Sequence, residues 1–296
     1  MEKESKGFAI LSSFWIKIIA IFTMTIDHVG SMLQTFIGSN YGPAIPFRYI
    51  GRIALPLFCF LTFEGITHSK KPSKYFLRLG IMATIISIAL VVVEYAPAFD
   101  GFSLYNMGNI FIDLLLGALA VYLLRRKEWY FKLLSILPIG ISITSFVVIG
   151  NEVSGNMLIH WFPFFLRPQY HFYSVGMIVL FYVGTLLSDL FLHIHSDRSG
   201  IPFESLKETR FERYSLNIIS MGVVVFATLI FFLVSILIPD SWLYWHNDVQ
   251  NIAIIAGAFI LLYSGLRGYN AKWFQYGSYL YYPLHILIIF GIGALL

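Results

Sequence analysis

The chain has 296 residues, 58% of them hydrophobic and only 12% charged, with a mean hydropathy of +0.75. A soluble domain carries about 25% charged residues, so that class is excluded. The formal net charge of +4 and the pI of 9.0 are not read as a nucleic-acid signal, because Lys and Arg are confined to short stretches between apolar runs. Cys59 is the sole cysteine, so no intrachain disulfide forms.

A membrane crossing needs about 20 mainly apolar residues. Taken in chain order, such stretches run over 14–36, 49–68, 75–95, 106–124, 131–149, 172–193, 215–238, 250–266 and 273–294, the eighth being short. The first is too long for a removable signal peptide and lacks a small-residue cleavage site, so it reads as a retained helix. Met157 to Leu166 is apolar but brief and lies against Pro163 and Pro168, which suits a surface or re-entrant piece. The connector from His195 to Arg213 mixes both charge signs around Gly200 and Pro202 and reads as solvated, with room for a short surface helix near Glu204 to Arg213. No internal repeat or low-complexity tract is visible, and residues 1–296 read as one integral-membrane domain.

Cytoplasmic loops collect Lys and Arg. With nine crossings, seventeen of the twenty basic residues fall on one side: Lys3, Lys6, Lys17, Lys70, Lys71, Lys74, Arg78, Arg125, Arg126, Lys127, Lys132, Arg198, Lys207, Arg210, Arg213, Arg267 and Lys272. Only Arg48 and Arg167 fall in the alternate loops, and Arg52 lies inside a span. The expected fold is therefore an all-α polytopic membrane protein of about nine transmembrane helices, its N-terminus cytoplasmic and its C-terminus outside.

Several of these spans hold ionisable side chains, and a charge at the centre of a bilayer costs about 2.5 kcal/mol or more. With a rise of about 1.5 Å per residue, His28 lies roughly 20 Å from the cytoplasmic start of its helix. Arg52, Asn109 and Asp113 descend to a similar layer from the outside, and His285, with Tyr282 at i−3, rises to it from the cytoplasmic end of the last span. A lone buried His or Asn is often a packing residue; convergence at one depth points instead to a reaction chamber or transport pathway. Asp27 and His28 are the most suggestive pair, imidazole being the usual general base near neutral pH. Their side chains leave the helix about 100° apart, so a separate helix is free to supply the partner of His28. Arg52 suits neutralisation of Asp27 or Asp113, or stabilisation of negative charge on a reacting oxygen. At the cytoplasmic end of the second span, Glu64 and His68 form an i, i+4 pair followed by Lys70, Lys71 and Lys74, with Arg78 beyond. This is ordinary positive-inside topology or a docking site for phosphate groups. No metal site is read.

These residues resemble a known family. KIIAIFTMTIDHVG from Lys17 to Gly30 and RYIGRIALPLFCFLTFEGITHS from Arg48 to Ser69 look like the opening blocks of the TraX family, and GNIFIDLLLGALAVYLL from Gly108 to Leu124 and YLYYPLHILII from Tyr279 to Ile289 look like its later ones. The family is similar to the wider superfamily of transmembrane acyltransferases, whose first helix carries a basic residue, ten intervening residues and a histidine. Lys17 and His28 match, with Lys in place of the more usual Arg. Asp113 departs from the small polar residue more often expected there.

The resemblance implies a multi-pass protein of the bacterial cytoplasmic membrane that transfers an acyl group from acetyl-CoA. The best-known member acetylates the N-terminus of a pilin subunit. On this reading the catalytic set is His28, Asp27, Arg52, Asn109, Asp113, Tyr282 and His285. Lys17, Glu64, His68, Lys70, Lys71 and Arg78 serve acetyl-CoA, and the acceptor is a peptide, glycan or lipid. The alternative is a proton-coupled transporter or flippase that uses the same buried Asp, His and Arg residues.

Overall fold

The computed structural model describes residues 9–38, 41–95, 108–155, 162–207, 209–237 and 250–295. Its helices are α1 Ser13–Phe36, α2 Ile45–Gly51, α3 Ala54–Thr67, α4 Pro72–Tyr95, α5 Ile110–Leu124, α6 Trp129–Leu134, α7 Ile136–Gly155, α8 His171–Ser199, α9 Phe203–Lys207, α10 Arg210–Leu237, α11 Ala256–Leu261 and α12 Lys272–Gly293. No strand occurs among the described residues. Six helical stretches there are long and apolar enough to cross a bilayer: 13–36, 42–67, 72–92, 129–152, 171–199 and 210–237. The protein is all-helical and multi-pass. The α5 stretch has 15 residues, about 22 Å, and the apolar helix ending at Leu261 is shorter still.

Several helix boundaries differ from the hydropathy reading, each for a local reason. The second span breaks at Arg52 and Ile53. An unbroken α-helix gives the Arg48 carbonyl to the Arg52 N–H, but here Arg52 Nε takes that carbonyl at 3.2 Å and the Arg52 N–H turns to the Tyr49 carbonyl at 3.2 Å. The fifth span breaks at Ser135, where Pro138 has no N–H to continue the ladder across the junction. The connector expected from His195 to Arg213 is mostly helical instead. α8 runs 29 residues to Ser199 and stops at Gly200, whose φ of +70° suits glycine; α9 and the start of α10 fill the remainder. Of the piece expected over 157–166, residues 157–161 lie outside the described residues, and Phe164–Leu166 forms a single 3-10 turn.

The chain divides into two compact units. The first comprises residues 1–61, 180–230 and 248–296. Within it α1 and α12 lie side by side and run parallel, because their contacts ascend together. Lys17 sits over the Phe274 ring, Thr25 meets Tyr281, His28 meets His285, and Phe36 and Met32 crowd Gly293. Both helices are anchored near their starts by one backbone clip. Leu11 donates to Leu262 and accepts from Ser264, each at 2.8 Å, and the Ser13 N–H reaches Leu266 at 2.8 Å. Asn217 of α10 holds the same strip, donating to the carbonyls of Leu261 and Tyr263 at 3.0 and 2.6 Å. On its other side α1 packs closely against α2, which glycine permits. A Cβ at Gly30 would sit 2.7 Å from Phe47 Cβ, and one at Gly51 would fall on the Asp27 carboxylate.

The second unit comprises residues 62–179 and 231–247. α5 is apolar almost all round, and residues on all its faces are buried, as suits a central helix. α4 and α7 pack on it, and a Cβ at Gly117 would collide with Ile178 of α8.

Candidate active site

In the first unit, α1 presents two adjacent polar residues to two different neighbours. Asp27 faces α2, where Arg52 Nη2 donates to Oδ1 at 2.6 Å and Arg48 Nη1 lies 2.9 Å from Oδ2. Arg48 also donates to the Asp27 carbonyl at 3.1 Å. One carboxylate thus holds two guanidiniums. The Arg52 side chain is 3% exposed against 19% for Arg48, so Arg52 is the member sealed in the protein. Between the two partners expected for Arg52, the structure selects Asp27.

About 100° around α1, His28 faces α12. Its Nδ1 lies 2.7 Å from Nε2 of His285, which is buried. His285 Nδ1 lies 2.8 Å from the Tyr281 carbonyl, and the Tyr281 ring stacks parallel to the His285 ring with centroids 4.8 Å apart. The Thr25 hydroxyl donates to Ile21 at 2.8 Å, so it accepts from Tyr281 Oη at 2.7 Å. The Tyr282 ring meets His28 edge-on at 6.2 Å between centroids. His28, Asp27, Arg52, Tyr282 and His285 are therefore brought together. Lys17 lies on the same face of α1, eleven residues or about three turns before His28, with Nζ 5.6 Å from the Phe274 centroid.

Asn109 and Asp113 belong to the second unit, where their polar atoms bond to protein groups. Asn109 caps α5, its Oδ1 accepting from the Phe111 N–H at 3.0 Å while Nδ2 donates to the Ala83 carbonyl at 2.7 Å and to Ser87 Oγ at 3.0 Å. Asp113, fully buried, accepts from the N–H groups of Gln169 and Tyr170 at 2.5 and 3.0 Å and from the Ser174 hydroxyl. Arg167, read from sequence as an outer-loop charge, is buried in a two-pronged pair with Glu152 at 2.6 and 2.9 Å. These contacts fasten the segment before α8 to α5 and α7. Replacing Asp113 with alanine strands two buried N–H groups at about 1–3 kcal/mol each. Asp113→Ala should therefore lower the thermal midpoint in detergent; a midpoint equal to that of the wild type would mean that these bonds do not hold the segment before α8.

The phosphate-binding candidates other than Lys17 also lie in the second unit. His68 Nδ1 reaches the Glu64 carbonyl at 3.0 Å and its carboxylate at 3.6 Å, so the i, i+4 pair forms. Lys70 and Lys71 are exposed, and the half-buried Arg78 donates from Nε to Lys74 at 3.2 Å. Arg125 brings a further cation to this end, donating to the Thr67 carbonyl at 2.8 Å. Among the described residues no three His, Cys, Asp or Glu side chains gather as a metal site.

The sequence reading keeps Arg48 outside the site, as a loop charge, and does not single out Thr25 or Tyr281. A signal for the last two exists: Thr25 and His28 are spaced i, i+3, and Tyr281 and His285 i, i+4, so each helix offers a two-residue polar face.

The family model described as TraX protein matches residues 12–197. The chain is 31% identical over 113 residues to the "Probable fimbrial assembly protein FimC, serogroup H1" of Dichelobacter nodosus, an alignment covering 37% of this chain and 45% of that protein. It is 27% identical over 169 residues to an uncharacterized protein of Rickettsia prowazekii, covering 57% of this chain and 54% of the other. The chain thus spans about half the length of the curated relatives it matches. No solved structure matches.

Proposed function

Because the chain belongs to the TraX family, we propose that it is a membrane-embedded acetyltransferase that moves the acetyl group of acetyl-CoA to an amine or hydroxyl of an envelope acceptor. The observation that carries this reading is the His28–His285 contact of 2.7 Å, set beside a carboxylate clamped by two arginines inside apolar helices. His28 takes the acceptor's proton as the acceptor nitrogen or oxygen bonds to the acyl carbon, and returns it to the departing thiolate. The net positive Asp27–Arg48–Arg52 group favours the oxyanion that develops as the thioester is attacked. Lys17 of the first unit and, taken by themselves, Lys70, Lys71 and Arg78 of the second are cations suited to phosphates of the donor.

The topology belongs to the same proposal: nine crossings in the bacterial cytoplasmic membrane, with the N-terminus inside and the C-terminus outside. The parallel run of α1 and α12 supports it, since a first and last crossing that point the same way need an odd number of spans. The fimbrial-assembly name of the Dichelobacter relative favours a pilin-like peptide among the possible acceptors.

Purified full-length protein given labelled acetyl-CoA should bind it saturably and release CoA when an acceptor is present. Envelope peptides and glycans from cells carrying the gene should be heavier, by one acetyl group at the target, than those from cells lacking it. Substrate flux across vesicles without CoA release would instead favour a proton-coupled transporter.

A further inference from the structure

The two histidines are fixed in orientation by partners whose hydrogen-bonding character is not in doubt. A carbonyl only accepts, so His285 Nδ1, 2.8 Å from the Tyr281 carbonyl, carries a proton. The neutral ring then holds its lone pair on Nε2, the atom that meets His28 Nδ1 at 2.7 Å. That contact is a hydrogen bond only if His28 Nδ1 donates, which leaves the lone pair of His28 on Nε2. Tyr281 is itself immobilised, stacked on His285 at an interplanar angle of 5° and tied through its hydroxyl to Thr25 on α1. The direction of the chain is therefore set by backbone and packing, from the Tyr281 carbonyl through His285 to His28.

We propose that His285 is a positioning residue that holds His28 as the Nδ1–H tautomer, making Nε2 the nitrogen that receives the acceptor's proton. The inference rests on the acyl-transfer reading for its catalytic meaning but not for its geometry. It gives His285 the orienting task that a carboxylate performs in a serine–histidine–aspartate triad. A neutral acceptor at this place leaves Asp27 free to hold Arg48 and Arg52. Among the described residues, the charged and titratable groups that act on the His28 ring are Asp27 on α1, Arg48 and Arg52 from the α2 side, and Tyr282 and His285 on α12.

The test is solid-state NMR of the full chain in phospholipid vesicles with ring-labelled ¹⁵N-histidine, at about pH 8.5, roughly two units above an ordinary imidazole. The His28 signal is assigned by its loss in His28→Gln. Wild-type protein should show His28 protonated on Nδ1 and bare on Nε2. His285→Leu removes the acceptor and should release His28 into a mixture of tautomers, whereas His285→Gln, whose amide oxygen accepts at a similar reach, should restore the wild-type pattern. In the acetyl-CoA assay, His285→Leu should lower kcat about tenfold or more with KM little changed, and Gln should recover most of it. A wild-type His28 carrying its proton on Nε2 overturns the proposal, as does a His285→Leu spectrum identical to wild type. Wild-type protein with the expected spectrum but no transfer overturns the acetyltransferase reading alone and leaves the tautomer assignment standing.

Discussion

His28→Ala is expected to lower the proposed acetyl transfer by about 10²–10⁴-fold, the usual contribution of a positioned general base, while lowering the thermal midpoint only modestly. The asymmetry follows from what the ring touches. His28 is half-buried, and its polar partner across the α1–α12 seam is His285 Nε2, so deletion leaves that one buried acceptor without its donor at about 1–3 kcal/mol. The Tyr282 edge contact goes with it, but the other polar contacts of the α1–α12 seam stay: Thr25 still accepts from Tyr281, and Lys17 still lies over Phe274. The measurement is single-turnover release of labelled CoA beside thermal unfolding of the same sample in detergent. A folded His28→Ala protein with wild-type turnover removes His28 as the base. A variant that loses turnover and fold together is resolved by His28→Gln, which keeps a donor toward His285 but offers no base of useful strength.

Much of this site is legible without coordinates, and the part that is not has a geometric reason. Depth along a helix follows from residue count, so His28, Arg52, Asn109, Asp113 and His285 can be ranked by layer. Depth is one coordinate of three. It does not say which way round its helix a residue faces, and Asn109 and Asp113 turn toward Ala83, Ser87, Gln169, Tyr170 and Ser174 within the second unit. Helical angle restores part of the missing information: eleven residues make about three turns, which puts Lys17 and His28 on one face of α1 and Phe274 and His285 on one face of α12. Arg48 escapes the sequence reading because hydropathy begins the second span at residue 49, yet a guanidinium reaches several ångströms beyond its Cα and here closes on the Asp27 carboxylate. The burial of Arg167 goes unread for a related reason, as its partner Glu152 is fifteen residues away, in α7. The breaks at Arg52 and Ser135 are invisible to a sliding window, since each depends on which group takes a single carbonyl or on one missing N–H.

Asp27→Ala is expected to destabilise the protein by about 3–5 kcal/mol, the scale on which removing one partner of a buried ion pair usually falls. The deleted carboxylate is shared by two cations spaced i, i+4, so its loss leaves Arg48 and Arg52 repelling one another where it had attracted both. Arg52 is the more severe case, its side chain being 3% exposed and unable to turn to water. Arg48→Ala should cost less, because Asp27 keeps the 2.6 Å bond to Arg52 and the Arg48 side chain is already 19% exposed. The ordering Asp27→Ala, then Arg48→Ala, then wild type in thermal midpoint, measured in one detergent at one salt concentration, checks the geometry; equal midpoints would mean that the clamp is not formed. Asp27→Asn separates structure from chemistry. The amide oxygen still accepts from Arg52, but the net charge of the group rises, so the fold should largely survive while any effect on the proposed transfer reports what the positive field does to a thioester placed there. Gly51→Ala approaches the same point from the other side, because its methyl group would occupy the space of the carboxylate and drive Asp27 out of the clamp without altering any charge.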